Sequence, residues 1–563
     1  MYAMLQKQFS SLGSRERERE SKRLRRFVKL FFSVFLFIAF FHFAHTSTFA
    51  ATYYVDSSVT DTNVASATPD FTTYNSATFA TTGGSSSVYK TIADLNAKSF
   101  SAGDNIYFRR GQTWNEQLTI SQSGTSGNQI TFGAFGSGNK PIIDGQNTRS
   151  YAITTNAFNY ITLQDLQIQN ATWANFWSDV VSSGAVLTNI DSVGGVRGIW
   201  FRKPSNSTFT NITETNASSM CFQLGQLGTN VTINGITASG CSGYPGIYLN
   251  QLTNVTASNL TAIDNLVTGI MFQDITGTWN ISDVISGGLN NGNTGAGIHI
   301  LGAVAGNNAN FNLDNVTSSY NTVEGFFLQN VRDGTVTGVI DNSLSEHNGD
   351  NGFELDTTKN ITIQNTISRY NGLNGIGSWY NTNDNISILD STIDHNLFDG
   401  ISFHGVSSGV LIDRTITNFK VHNSIAYGNL NSGAAMINSA SGEIYNSSFY
   451  NNGSSGFNRA AFWSQVSGGA GWIVKNNIFS ENYPREIFTD SSGITYATLD
   501  NNLFYHPSDS KIASLDNGTS EQSWTTYHTT NSYEPNSIYG DPLFINKAIQ
   551  NGPVPLKMHK MSV

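Results

Sequence analysis

Charge and cysteine are scarce in this chain of 563 residues: 12% of them are charged and two are cysteines. Two thiols cannot build a disulfide framework, so Cys221 and Cys241 either pair once or sit as two small buried hydrophobes. Prolines number 10 against 53 glycines. The low content of helix-favouring charged residues, with no amphipathic segment of helical length, excludes a helical protein. Low charge with abundant Asn, Ser, Thr and Gly would fit disorder. However, 39% hydrophobic and 12% aromatic residues supply enough apolar material for a large core.

The first fifty residues differ from the rest. A basic run, RERERESKRLRRFVK, precedes the apolar LFFSVFLFIAFF and then polar HFAHTSTFA. This is the layout of a secretory signal over residues 1–50, with Thr48 and Ala50 as the small residues before a cut. The alternative is an uncleaved anchor, for which the apolar run is shorter than the ~20 residues of a spanning helix. With the signal cleaved, no stable membrane insertion is expected and the protein is secreted or at the cell surface. Removing residues 1–50 takes nine Lys/Arg and three Asp/Glu from totals of 30 and 40, leaving a net charge near −16. Such a surface repels nucleic acid. A local basic cluster or a bound divalent cation, Ca2+ among them, could reverse the sign within one site.

The segments TAIDNLVTGIMF, SSYNTVEGFFL, SEHNGDNGFEL, ISRYNGLNGI and IDHNLFDGIS share one plan, an Asn/Gly turn running into Gly and then a strand. The recurring glycines are Gly198, Gly246, Gly269, Gly297, Gly325, Gly352, Gly375, Gly400, Gly433 and Gly456. The gap between the first two holds two turns, with Ser219 expected in the glycine position. A second strand with alternation of period two precedes each turn, as in NVTINGITAS and NITIQNTISRY. A repeat of roughly 25 residues without helices excludes propeller blades of ~40 residues, and the leucine-rich LxxLxLxxN pattern is absent. A single-domain, all-β parallel solenoid remains, expected as a monomer.

These turns, with Asn or Asp recurring in the second strand at Asn365, Asp390, Asn446 and Asn476, resemble those of the right-handed parallel β-helix family of pectate lyase-like proteins over about residues 90–505. The resemblance implies stacked Asn side chains bonding to one another at the bends. It implies an N-terminal cap and first strands over 51–115, with a short helix near YKTIADLNAKSF covering the open end. Coils would fill 116–505, and 506–563, with NSIYGDPLFIN, would be a closing segment; caps keep terminal strand edges from pairing. It also implies a polysaccharide as partner.

Alignment on the turn glycine converts the sequence into a surface map, because equivalent residues of successive coils lie about 4.8 Å apart. Positions one and three after the glycine are apolar and should point inward. The outward second position reads Trp200, Cys221, Tyr248, Met271, His299, Phe327, Glu354, Gly377, Ser402. The fourth reads Arg202, Gln223, Asn250, Gln273, Leu301, Gln329, Asp356, Trp379, His404. Aromatic rings and amides suit a sugar, whose C–H face stacks on a ring while its hydroxyls need fixed partners. A loop packed over this sheet would equally account for the aromatics. Trp200, Arg202, Tyr248, Gln273, His299, Gln329 and Trp379 are therefore candidate substrate contacts, with Arg332 from the following loop.

Within NGFELDTTKN, Glu354 and Asp356 share one strand face with Cα atoms about 6.5 to 7 Å apart. The pair could act as acid and base in glycoside hydrolysis, hold a hard cation, or be solvated without a role. With His404 two coils away they form the candidate catalytic group. A polyuronate lyase would also need a cation or Arg to neutralise the substrate carboxylate and a base to take the adjacent C–H proton. Arg332, Lys359 and His404 fill those parts only if their loops face one groove. His347, Asp350, His395 and Asp399 form a second cluster in the turns, where such residues often cap backbone.

The local signatures of individual β-helix enzymes are missing. FDGISFHGVSSG at 398–409 has no adjacent Asp-Asp or RIK block as in polygalacturonase-like hydrolases, the DPHD block of mannuronan epimerases is absent, and acids do not cluster as in calcium-dependent pectate lyases. Fold alone does not assign activity. The sequence leaves two expectations: a secreted polysaccharide lyase or glycoside hydrolase, or a non-catalytic glycan-binding or adhesive surface protein.

Overall fold

Period-two alternation with an apolar residue at every second position makes a strand that can bury one face. Here each such strand pairs in parallel with the equivalent strand one coil away. The computed structural model describes residues 50–59, 73–82, 88–302, 310–331, 337–379, 382–404, 416–437, 441–454, 460–465, 472–489, 498–508, 511–515, 520–530 and 534–544. The signal expected over 1–50 lies outside these, apart from Ala50. Among the described residues no helix is long and apolar enough to cross a membrane.

Register is continuous along the stack. Ile247 faces Ile270, which faces Ile298, then Phe326, Phe353, Ile376, Ile401 and Ala434. All of these side chains are fully buried. Two residues on, Leu249, Phe272, Ile300, Leu328 and Leu355 make a second buried column. Phe326 and Phe353 stack at 4.4 Å, and each buried residue of this size contributes about 1.5–3 kcal/mol by leaving water. The result is a parallel β-helix with its core along the axis.

The repeated glycine answers to crowding. At Gly325 an added Cβ would lie 2.0 Å from Ser345 Oγ and 2.6 Å from the Gly352 carbonyl oxygen. That serine is part of the same device: Ser318, Ser345 and Ser368 donate to the carbonyls of Gly325, Gly352 and Gly375 at 2.7, 2.8 and 2.7 Å.

Asparagine ladders close the turns. Asn265 Nδ2 donates to Asn293 Oδ1, and the pattern repeats through Asn321, Asn348, Asn371, Asn396, Asn429, Asn452 and Asn482, at 2.8–3.0 Å. Each Oδ1 also accepts the backbone N–H of the preceding rung, for example Asn348 N to Asn371 Oδ1 at 3.2 Å. Buried backbone donors that no strand can satisfy are thus paired. The ladder ends on Glu486, whose carboxylate accepts from Asn482 Nδ2 at 2.6 Å.

The bend residues Asn365, Asp390, Asn446 and Asn476 adopt the left-handed conformation, with φ of 48–59°. Their side chains lie outside the buried ladder: Asn365 Nδ2 reaches Asp341 Oδ1 at 2.8 Å, and Asn446 Nδ2 reaches Asn423 Oδ1 at 3.4 Å. The residues just after the bends, Thr366, Ser391, Ser424 and Ser447, form a second buried column of backbone N–H to hydroxyl bonds.

The N-terminal segment contains a short helix, Ile92–Asn96, whose first N–H groups are held by Thr91 Oγ1 and the Glu116 carboxylate. At the other end, Ala513–Leu515 pairs antiparallel with Ser520–Gln522, which occupies an edge otherwise open to another chain.

The turn before residue 220 corrects the sequence alignment. Trp200 pairs with Gln223, not with Cys221, and Gln223 pairs with Tyr248. Cys221, not Ser219, therefore stands in the glycine position, at the core, where it forms a disulfide with Cys241 across a Cα–Cα distance of 5.8 Å. The sequence segment SSMCFQ has no glycine to anchor on, which allowed the two-residue slip.

Candidate active site

On the outward column Phe327 pairs with Glu354, and in the neighbouring column Gln329 pairs with Asp356. The strand Phe353–Asp356 thus carries both acids beside an aromatic and an amide. The turn before each strand forms a rim over this face. Glu324 precedes Gly325 and Asn351 precedes Gly352, so rim groups descend on the strand groups. Glu324, Phe327, Asp350, Asn351, Glu354, Asp356 and Leu373 line one cleft of about 330 Å³.

This face is less open than a solvent face. Glu354 is only 7% exposed, Gln223 and Ser402 are buried, and Trp200, Tyr248, Gln273, His299 and Gln329 are half-buried. At Glu354 the rim contributes, since Asn351 bonds its carboxyl, whereas Trp200 packs on Trp177 and Tyr248 on Gln273 within the strand face.

Four carboxyl groups in such a space cannot all be ionised without strong repulsion. Burial pushes the Glu354 carboxyl up to about 9, helped by its hydrogen-bonded neighbour Asp356 and by the charges of Glu324 and Asp350. Burial also raises Glu324 and Asp350 above the usual carboxylate range. Burial and these neighbours therefore favour the protonated form of Glu354, hydrogen-bonded to Asp356.

The other oxygen of Glu354 is defined by a second ladder. Asn351 Nδ2 donates to Glu354 Oε2. Asn351 Oδ1 accepts the backbone N–H of Asn374 at 2.9 Å and its Nδ2 at 2.8 Å. A backbone N–H can only donate, so the Asn351 amide cannot flip. Asn374 Oδ1 in turn accepts from Asp399 N at 3.1 Å, and Asp399 is held by Asn431 Nδ2, Ser432 N and Ser402 Oγ. Asp399, read in the sequence as a turn residue, belongs to this scaffold.

His299 stacks on Phe327 at 4.6 Å. Burial lowers its imidazole to about 4, against a hydrogen bond that the ring donates to Gln329 and that favours charge, so the neutral form is favoured at physiological pH. Tyr248 OH bonds to Gln273, and Asn250 Nδ2 to Tyr248 OH at 3.1 Å. Trp200 meets Trp177 edge-on at 4.4 Å. Arg202 is paired with Asp179 at 2.8 Å.

Not every sequence-predicted residue gathers at the cleft. The backbones of Trp379 and His404 pair one coil apart, but their side chains, like all of Arg332, fall outside the described residues. Lys359 is 3.8 Å from Asp384. His347 and His395 stack with Tyr320 and Tyr370 in a separate ladder. Among the described residues no group of three or more His, Cys, Asp or Glu is arranged to hold a metal ion. Glu324 and the rim role of Asp350 escaped the sequence reading because only strand positions were stacked. Extending the glycine alignment one and two residues upstream would have shown both.

No family model matches the chain, and no curated protein matches it. Solved structures do. The Azotobacter vinelandii mannuronan C-5 epimerase AlgE4 A-module is 16% identical, with 66% of this chain and 91% of that chain covered and a TM-score of 0.36. The catalytic domain of a GH87 alpha-1,3-glucanase is 14% identical, covering 66% and 64%, with a TM-score of 0.32. The periplasmic alginate epimerase AlgG is 11% identical, covering 68% and 81%, with a TM-score of 0.32.

Proposed function

We propose that this chain is an exported glycoside hydrolase that cleaves a polysaccharide in the Glu324–Asp356 cleft. The observation that carries the reading is the buried Glu354 carboxyl in one cleft with Glu324, Asp350 and Asp356, where burial and neighbouring charge favour its protonated form. A general acid with its proton in place is what departure of a glycosidic oxygen requires. In the proposed step Glu354 gives its proton to the leaving oxygen as the C–O bond breaks. Water bonds to the anomeric carbon and loses its proton to a carboxylate of the cluster, Asp356 first among them. Asn351 keeps Glu354 Oε2 occupied and so leaves the other oxygen to carry the proton.

Lyase chemistry is less well supported. It needs a cation against the substrate carboxylate, and among the described residues the cleft is lined by carboxyls without a lysine or arginine. The sugar unit at the cleft is accordingly one without an acidic group. Export is supported by the signal-like residues 1–50 and by the Cys221–Cys241 disulfide, which suits an oxidising compartment.

The test is incubation of the protein lacking residues 1–50 with neutral and acidic polysaccharides, with and without Ca2+. New reducing ends without an unsaturated product, lost in Glu354→Gln, are expected. Unsaturated products would replace this reading with a lyase. Glycan binding with no product from any polymer would leave a non-catalytic binding protein.

A further inference from the structure

The rim that supplies the cleft continues along the axis and changes its chemistry. Gly198 occupies the rung of Cys221, which leads through Gly246, Gly269 and Gly297 to Gly325. Arg197 is therefore the rim equivalent of Glu324, five rungs or about 24 Å away at 4.8 Å per rung. One residue earlier on the rim, Trp173 and Tyr244 are the equivalents of Asp350, as the backbone bonds Tyr244 N to Ser219 O, Ser219 N to Val196 O and Asp350 N to Val323 O indicate.

At this place the rim is aromatic and cationic. Trp173 is 42% and Tyr244 48% exposed. The Arg197 guanidinium lies 4.1 Å from the Trp173 ring centre and 5.0 Å from that of Trp200. Its exposed end donates to the Trp173 carbonyl at 3.4 Å, and no carboxylate is in ion-pair range among the described residues. Nearby, Arg202 and Lys203 share the single carboxylate of Asp179 at 2.8 and 3.4 Å. On a chain of net charge −10, a cation left without a carboxylate beside the exposed Trp173 ring and the half-buried Trp200 ring suits an anion next to a stacking surface.

We propose that Trp173, Arg197 and Tyr244 form a distal subsite for a sugar unit bearing an anionic group, on the same glycan whose uncharged unit enters the carboxyl cleft. This rests on the hydrolase reading for the substrate's other end, and the subsite binds its unit without chemistry. The sugar's C–H face stacks on Trp173 or Tyr244 while its carboxylate or sulfate ester takes the guanidinium donors. The substrate is then a mixed polysaccharide, charged at some units only and long enough to span about 24 Å.

Affinity electrophoresis tests the site apart from catalysis. Native gels would contain alginate as carboxylate polymer, carrageenan as sulfate polymer, or galactomannan as neutral polymer. The protein and its Glu354→Gln variant should both be retarded by at least one anionic polymer, less so with added salt. Arg197→Gln should weaken that retardation about tenfold, Trp173→Ala should also weaken it, and Arg197→Lys should restore part. Melting curves identify any variant that is unfolded. The alginate and carrageenan arms tell carboxylate from sulfate. Retardation unchanged in Arg197→Gln, equal retardation by galactomannan, or none by either anionic polymer overturns the subsite. Arg197-dependent retardation with no product from any polymer would instead leave the subsite standing and remove the hydrolase reading.

Discussion

The side chain of Asn351 donates to Glu354 from a position three residues earlier in the chain, and the backbone of Asn374 locks the direction of that bond. The rim and the strand thereby meet through an amide with one allowed orientation. In Asn351→Asp the donor is lost and another carboxylate enters the cleft. The expected result is a kcat lower by roughly 10- to 100-fold with KM little changed, and an alkaline limb of the pH–rate profile moved to higher pH. A profile that superimposes on that of the parent would remove Asn351 from any positioning role.

Glu354 also leaves a mark on stability. Its folded value near 9 lies above an unfolded value of about 4.3. The proton it retains therefore favours the fold fully below about pH 4.3, and this contribution is lost as pH rises towards 9. Glu354→Gln removes the dependence. It should melt close to the parent at pH 4 and several degrees higher, on the order of 5 °C, at pH 8. Equal melting temperatures at pH 8 would mean that Glu354 is ionised there.

Neighbouring charge is part of what holds the proton on Glu354. Asp350→Asn removes one such charge without touching the strand. The alkaline limb should shift to lower pH, and an NMR titration of the Glu354 carboxyl should follow it. A limb that stays in place would assign the shift to burial alone.

The asparagine ladder predicts a structural penalty. Asn371→Leu deletes two acceptor bonds to the Asn348 rung and leaves the Asn348 backbone N–H buried without a partner. A loss of about 1–3 kcal/mol is expected from denaturant unfolding. The exposed bend residue Asn365 bonds only at the surface side, and Asn365→Ser should change stability far less.

Much of the fold was legible because its rule is local. Wherever the coil needs a residue without a Cβ, as at Gly325, the sequence must say so, and the spacing of those glycines then fixes the register of whole strands. The same rule explains the slip at Cys221, where the coil places another small residue and the marker disappears. Stacking the glycines also put Glu354 and Asp356 on one face. It did not reveal Glu324 or Arg197, since both sit on the rim before the glycine, where conformation repeats but side chains do not. The protonation of Glu354 was not legible either, since it depends on how closely four groups from two coils approach.

Coil number has a further consequence. The separation between Arg197 and Glu324 is set by how many rungs lie between them, and each rung is a fixed step of about 4.8 Å. Excising one complete coil from that interval would leave the ladders able to re-form, because each rung bonds only to its neighbours. If the two proposed sites hold one glycan, the stack is a ruler graduated in single rungs, and such an excision should shorten the preferred glycan by about one rung while leaving the groups at either end as they were.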